Sequence, residues 1–154
     1  MQEVLARLAE LERRVDALEG RPAAAEPQGE GGGVLSYQGR TEEPRELQWQ
    51  ITVATEPVLE LADEPRVEVL AALAHTARVA IVRQLARHGT QPGSALQEAA
   101  GLGSAGQFYH HLKALTGAGI VEADKRGSYR LKPAATIPVL VLLTASADIA
   151  GQLR

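Results

Sequence analysis

The chain has 154 residues, of which 45% are hydrophobic, 23% charged and 3% aromatic, and it contains no cysteine. That length suits one domain of about 150 residues, and no apolar run approaches the roughly 18 residues that span a bilayer. Missing thiols exclude disulfides, thiolate metal sites and cysteine nucleophiles, and a core with so few rings must be built from Leu, Val, Ile and Ala. The N-terminus carries charge every few residues without a basic-then-apolar leader, so no secretory signal is expected. The net charge of −3 is unevenly spread: residues 66–132 hold nine basic and four acidic side chains, a local +5 that leaves −8 elsewhere. A basic segment on acidic supports suits a polyanion-binding module, although solvated basic faces are common.

Met1, Val4, Leu8, Leu11, Val15 and Leu18 alternate in steps of three and four, an a/d heptad seam. Arg7 and Arg14 fall at g positions, where they can meet Glu12 and Glu19 of a second chain. The spacing predicts a coiled-coil dimerisation helix over 1–19, with Val4, Leu8, Leu11, Val15 and Leu18 as contact residues. Gly20 and Pro22 end it. Fewer than three heptads make a marginal coil alone, so its role is accessory; packing on its own domain is the other reading. The segment 20–33, GRPAAAEPQGEGGG, is expected to be a flexible linker.

Leu47, Trp49, Ile51 and Val53 alternate with polar residues, which predicts a strand with one apolar face. Val34 to Gln38 is its expected partner across the polar stretch Gly39 to Glu46, making a β-hairpin over 34–53. Trp49 is taken as a packing anchor; whether the hairpin borders a ligand pocket or a dimer interface stays open.

Glu56 to Asp63 and Pro65 to His75 form a first helical region, with Pro65 expected at a first helical position. Ala77 to His88 is an amphipathic helix closed by Gly89. Ser94 is expected to cap a short helix that runs to Ala100 and stops at Gly101. After Gly101-Leu102-Gly103, Ser104 with Gln107 fits a capping box opening another helix. Two short helices joined by a glycine turn have helix-turn-helix spacing. A helical wheel groups Phe108, Leu112 and Leu115 inward, with His111 on their flank. The opposite arc collects Gly106, His110 and Lys113, with Gln107 and Tyr109 at its edges, a set suited to phosphates and base edges. Ile120-Val121 and Tyr129-Arg130-Leu131 are strand-like around the basic tip Asp124 to Ser128, so the hairpin reads as a wing.

Leu73 to Val82, Gly106 to Leu115 with Ala118-Gly119-Ile120-Val121, and Arg126 to Leu131 together resemble ArsR-type winged-helix regulators. The resemblance covers about residues 66–132. It implies a dimeric transcription regulator that binds a short inverted repeat, commonly as a repressor released by an inducer. Thr76 stands where that family usually has proline. Its metal sensors use cysteines or Asp/His sets that this chain lacks, and His75, His88, His110 and His111 look scattered, so no metal site and no cofactor are expected.

Pro138 is expected to open an apolar C-terminal helix within 134–152, too short to span a membrane and in need of burial. Leu140 and Leu143 are its candidate dimer contacts; burial within the monomer is equally compatible.

The expected fold is α+β, mainly α: a winged helix-turn-helix at 56–133 with an N-terminal coiled-coil helix, an extra β-hairpin and a C-terminal dimerisation helix. The expected function is a homodimeric, cytoplasmic, nucleoid-located regulator binding double-stranded DNA, without membrane contact and open to an unidentified small-molecule or protein effector. Ser104, Gln107, Tyr109, His110, Lys113, Lys125, Arg126 and Arg130 are its candidate DNA-binding residues. The alternatives are a winged-helix interaction or scaffold module and a nonspecific nucleoid-associated protein. An enzyme is not expected, because no phosphate loop, paired nucleophile or metal cluster is apparent.

Overall fold

The computed structural model describes Arg7 and residues 33–154. Arg7 is helical and exposed; the other coiled-coil positions, Val4, Leu8, Leu11, Val15 and Leu18 among them, and residues 20–32 of the linker lie outside the described residues. The described chain divides into two units, one holding residues 33–35 and 52–59, the other 36–51 and 60–154.

Strands β1 (Val34–Thr41) and β2 (Leu47–Ala54) form a two-stranded sheet. From Leu47 to Ile51, β2 alternates half-buried and exposed residues, as its period-two pattern requires. β1 continues through Gly39, Arg40 and Thr41, which the sequence reading left in the connection. A Cβ at Gly39 would overlap the Ile137 side chain, so glycine lets the strand pass close to that residue. In the smaller unit, the Thr55 N–H donates to Gly33 O at 2.8 Å at the start of helix α1 (Thr55–Leu59).

The larger unit holds helices α2 (Asp63–Leu73), α3 (Thr76–His88), α4 (Gly93–Ala99), α5 (Ala105–Gly117) and α6 (Pro133–Ile149). Strands β3 (Gln91–Pro92), β4 (Val121–Ala123) and β5 (Ser128–Leu131) form an antiparallel sheet in the order β3-β5-β4. Glu122 pairs with Arg130 and Val121 with Leu131 across the wing, while Gln91 pairs with Tyr129.

Ile81, Val82 and Leu85 turn one face of α3 into the centre of the core. They pack with Leu96 of α4, Phe108, Leu112 and Leu115 of α5, Ile120, Val121 and Leu131 at the wing's base, and Val139 of α6. Burial of each such side chain contributes about 1.5–3 kcal/mol, and Phe108 is the only phenylalanine in the chain. Gly93 lets α4 press on it, since a Cβ there would sit 3.2 Å from the Phe108 ring.

Further boundaries differ from the sequence reading. Pro65 is the third residue of α2 rather than its first, because Asp63 and Glu64 already occupy the helical first turn, where acidic side chains suit the dipole. Helix α4 begins at Gly93 after Pro92, and Ser94 lies inside it without capping. The two-residue strand β3 contains Pro92 and is too short for any alternation to reveal. Helix α6 starts at Pro133, with Pro138 in its interior. Proline suits a first turn, and Pro133 takes that position; Pro138 leaves the Ala134 carbonyl without its i+4 donor. The helix ends at Ile149, where Gly151 turns the chain with φ of 72°.

α6 is also less buried than its composition led us to expect. Thr136, Ile137 and Val139 are buried, Leu140 to Leu143 are half-buried, and Ile149 is 89% exposed. No single helix among the described residues is long and apolar enough to cross a membrane.

Candidate nucleic-acid interface

Helix α5 is fixed at its start by Ser104, whose Oγ accepts the Gln107 backbone N–H at 3.3 Å. The preceding turn uses Gly101 at φ of 64°, a left-handed conformation that glycine adopts without cost from a Cβ. With Phe108, Leu112 and Leu115 buried, the helical period carries Gly106, Gln107, Tyr109, His110 and Lys113 to the exposed side. Tyr109 is 57% exposed although its ring edge meets Phe108 at 5.3 Å. The amide, phenol, imidazole and ammonium groups therefore stand on one rigid surface. Ser104 is placed beside them, but its oxygen is engaged as a cap.

Behind this surface lies a brace that joins α2, α3 and α5. Arg78 of α3 donates to the carbonyls of Ala72 at 2.6 Å and Ala71 at 2.9 Å, satisfying acceptors at the end of α2. It also donates to His111 Nδ1 at 3.3 Å. The His111 ring centroid stands 4.3 Å from that of His75 and 5.5 Å from that of His110. His75 in turn caps α3, its Nδ1 accepting the Ala77 N–H at 3.1 Å. Burial, and then the neighbouring His75, Arg78 and His110, hold the His111 pKa below the ordinary histidine value. The histidines that look scattered in sequence are thus partly gathered: His75 and His111 touch, and His88 stays apart from them.

The wing tip is a tight turn over Lys125–Gly127, with Arg126 at φ of 52° and Gly127 at 73°. Lys125 and Arg126 are exposed. Asp124 anchors the tip: its backbone N–H donates to Ser128 O at 2.8 Å, and its Oδ2 accepts the Thr90 hydroxyl at 3.0 Å. The Thr90 hydroxyl and then the Lys125 backbone N–H favour the charged carboxylate and lower its pKa. Arg130 differs from the two tip cations. Its Nε donates to Glu122 at 2.8 Å across the wing, and it is half-buried, so it braces the strands.

The candidate residues therefore fall into three sets. Gln107, Tyr109, His110 and Lys113 share the outer face of α5, Lys125 and Arg126 share the wing tip, and Ser104 and Arg130 hold those elements in shape. Leu140 and Leu143 are half-buried on α6. Among the described residues no three His, Cys, Asp or Glu side chains gather at metal-binding distance. The bracing roles of Arg78, His75, Thr90 and Asp124 are not legible in the sequence, because they depend on contacts between elements, which residue spacing does not encode. Trp49 is half-buried, and its buried indole N–H finds no acceptor among the described residues.

Comparison with known structures identifies the fold. The structure of the homodimeric winged helix-turn-helix DNA-binding domain of Mb0332 from Mycobacterium bovis superposes with a TM-score of 0.51 at 24% identity, covering 64% of this chain and 90% of that one. NolR from Sinorhizobium fredii superposes with a TM-score of 0.50 at 24% identity, covering 64% of this chain and 95% of that one. At that level the resemblance to ArsR-type regulators holds for the fold: the chain is a winged helix-turn-helix. No curated protein is detectably similar in sequence. The profile of the family described as Domain of unknown function (DUF7347) matches residues 58–139, more than half of the sequence, and the chain belongs to that family.

Proposed function

We propose that the protein is a homodimeric, sequence-specific DNA-binding transcription regulator, acting as a repressor. The observation that carries this reading is the outer face of α5, where a capped, core-anchored helix presents Gln107, Tyr109, His110 and Lys113 together. In helix-turn-helix proteins the second helix enters the major groove, where amide and imidazole groups can address base edges. The wing would set Lys125 and Arg126 against phosphates or the minor groove. Arg130 would support the wing and His111 the helix, without touching DNA. Dimerisation accounts for apolar side chains left at the surface of α2 and α6, namely Val67, Leu70, Ile149 and the half-buried Leu140 and Leu143.

Fluorescence anisotropy on an operator duplex and a scrambled duplex separates these roles. Lys125→Ala is expected to weaken binding to both duplexes alike and to reduce the salt slope by about one. Gln107→Ala and His110→Ala are expected to lose about 1–3 kcal/mol on the operator and little on the scrambled duplex. Equal losses on both duplexes from every substitution would refute the assignment of base readers.

A further inference from the structure

A cavity of about 230 Å³ opens where the β1–β2 connection meets the core and the base of the wing. Its walls mix apolar and cationic groups: Leu47, Pro44, Leu85 and Leu131 with Arg45 and Arg130. Such a volume lies just below the ordinary range of small-molecule sites, and concave apolar walls with a few polar groups are what those sites share. The cationic groups have free donors. Arg130 uses its Nε on Glu122, while its two terminal nitrogens make no hydrogen bond among the described residues. Arg45, exposed at the rim, forms no ion pair among them. Glu43 also lines the cavity and is exposed, and Glu122 already engages Arg130 through Nε, so the anion-binding groups are the unengaged terminal nitrogens of Arg130 and the side chain of Arg45.

Two of the lining residues also hold the wing. Arg130 makes the cross-strand bond to Glu122, and Thr90 donates to Asp124 at the tip. We propose that this cavity binds a small amphipathic monocarboxylate, whose carboxylate engages Arg130 and Arg45 while its apolar body lies on Leu47, Leu85 and Leu131, and that occupancy shifts the wing. The physical link is the shared guanidinium: Arg130 holds Glu122 through Nε while its terminal nitrogens would serve the ligand, so a carboxylate that draws them into the cavity pulls on the cross-strand bond. The effect on DNA rests on the function proposed above; the binding itself does not.

The test titrates the full chain with benzoate and hexanoate into the millimolar range, with benzamide and hexanol as uncharged controls. Amide NMR shifts report both the cavity and the wing. We expect saturable shifts at Leu47, Leu131, Asp124 and Lys125 with the carboxylates alone. Arg45→Gln, at an exposed position remote from the wing's own bonds, should weaken binding several-fold, and Ala86→Met, at a half-buried residue of the cavity wall, should abolish it by filling the cavity. DNA affinity with and without benzoate should then differ about five- to hundredfold, the usual range of coupling between sites. No saturable shift with either carboxylate, or equal shifts with the uncharged controls, would overturn the site. Shifts confined to the cavity, with Asp124 and Lys125 unmoved, would overturn its coupling to the wing. Ligand-induced wing shifts in a protein that binds no DNA would uphold the site and refute the DNA-binding reading instead.

Discussion

Arg78 and His111 show how much of the candidate interface depends on residues that do not belong to it. Arg78 holds the end of α2 and the flank of α5 together, and His111 can accept from it only while Nδ1 is unprotonated. Burial and adjacent cationic groups lower the His111 pKa from the ordinary 6.5, so the folded chain binds this proton less tightly than the unfolded chain does. The associated stability is fully present above 6.5 and is lost as pH falls through the lowered value. Denaturant midpoints measured between neutral and mildly acid pH should therefore fall for the native sequence and fall less for His111→Gln. Identical pH dependence in the two proteins would show that the Arg78–His111 contact does not carry this effect. Sequence periodicity placed His111 on the flank of the buried face correctly, yet neither His75 nor Arg78 could be matched to it, because the contact joins residues distant along the chain.

Among the elements, those with strong local signals were legible in advance. Helix α5 shows a serine cap, a helical apolar period and a glycine turn before it, and each appears as expected. Helix α3 likewise ends at Gly89, whose φ is 70°. Elements whose limits depend on packing were harder to place. β1 runs on through Gly39, where a Cβ would overlap Ile137, and pairing with Tyr129 and Ser128 makes a strand of Gln91 and Pro92. Proline misled at α6, where Pro133 and Pro138 both fit a helix start and only the first is one. The helix-turn-helix itself depends on Leu96, fully buried on the short helix α4, which lies between α3 and α5 in the chain and packs on α3. Leu96→Ala is expected to cost about 2–5 kcal/mol of unfolding free energy through lost burial and the cavity it leaves. A loss below about 1 kcal/mol in urea denaturation would mean that α4 contributes little to the cooperative core.

For the whole molecule, the proposed two-fold symmetry would give the exposed apolar residues of α2 and α6 a function. A two-fold dimer would set two α5 helices about 34–36 Å apart, one turn of DNA, matching an inverted repeat. Leu70→Glu and Ile149→Glu, each adding a charge at an exposed apolar position, are expected to shift the protein from dimer to monomer in sedimentation velocity. Both should also weaken operator binding far more than the loss of any single DNA contact, because a monomer addresses one half-site. Dimers unaffected by both substitutions would place the interface elsewhere, with the heptads of residues 1–19 the first place to search.

The central claim is that α5 and the wing read DNA in a sequence-dependent way, and the most direct measurement is an anisotropy titration of the native protein. Its own promoter region would be compared with a scrambled duplex of the same composition at about 50 and 200 mM salt, where phosphate contacts separate clearly from base readout. The account predicts a preference of about a thousandfold or more for the promoter, together with a steep salt slope on both duplexes. Equal affinity for the two duplexes, or no binding at either salt concentration, would contradict it.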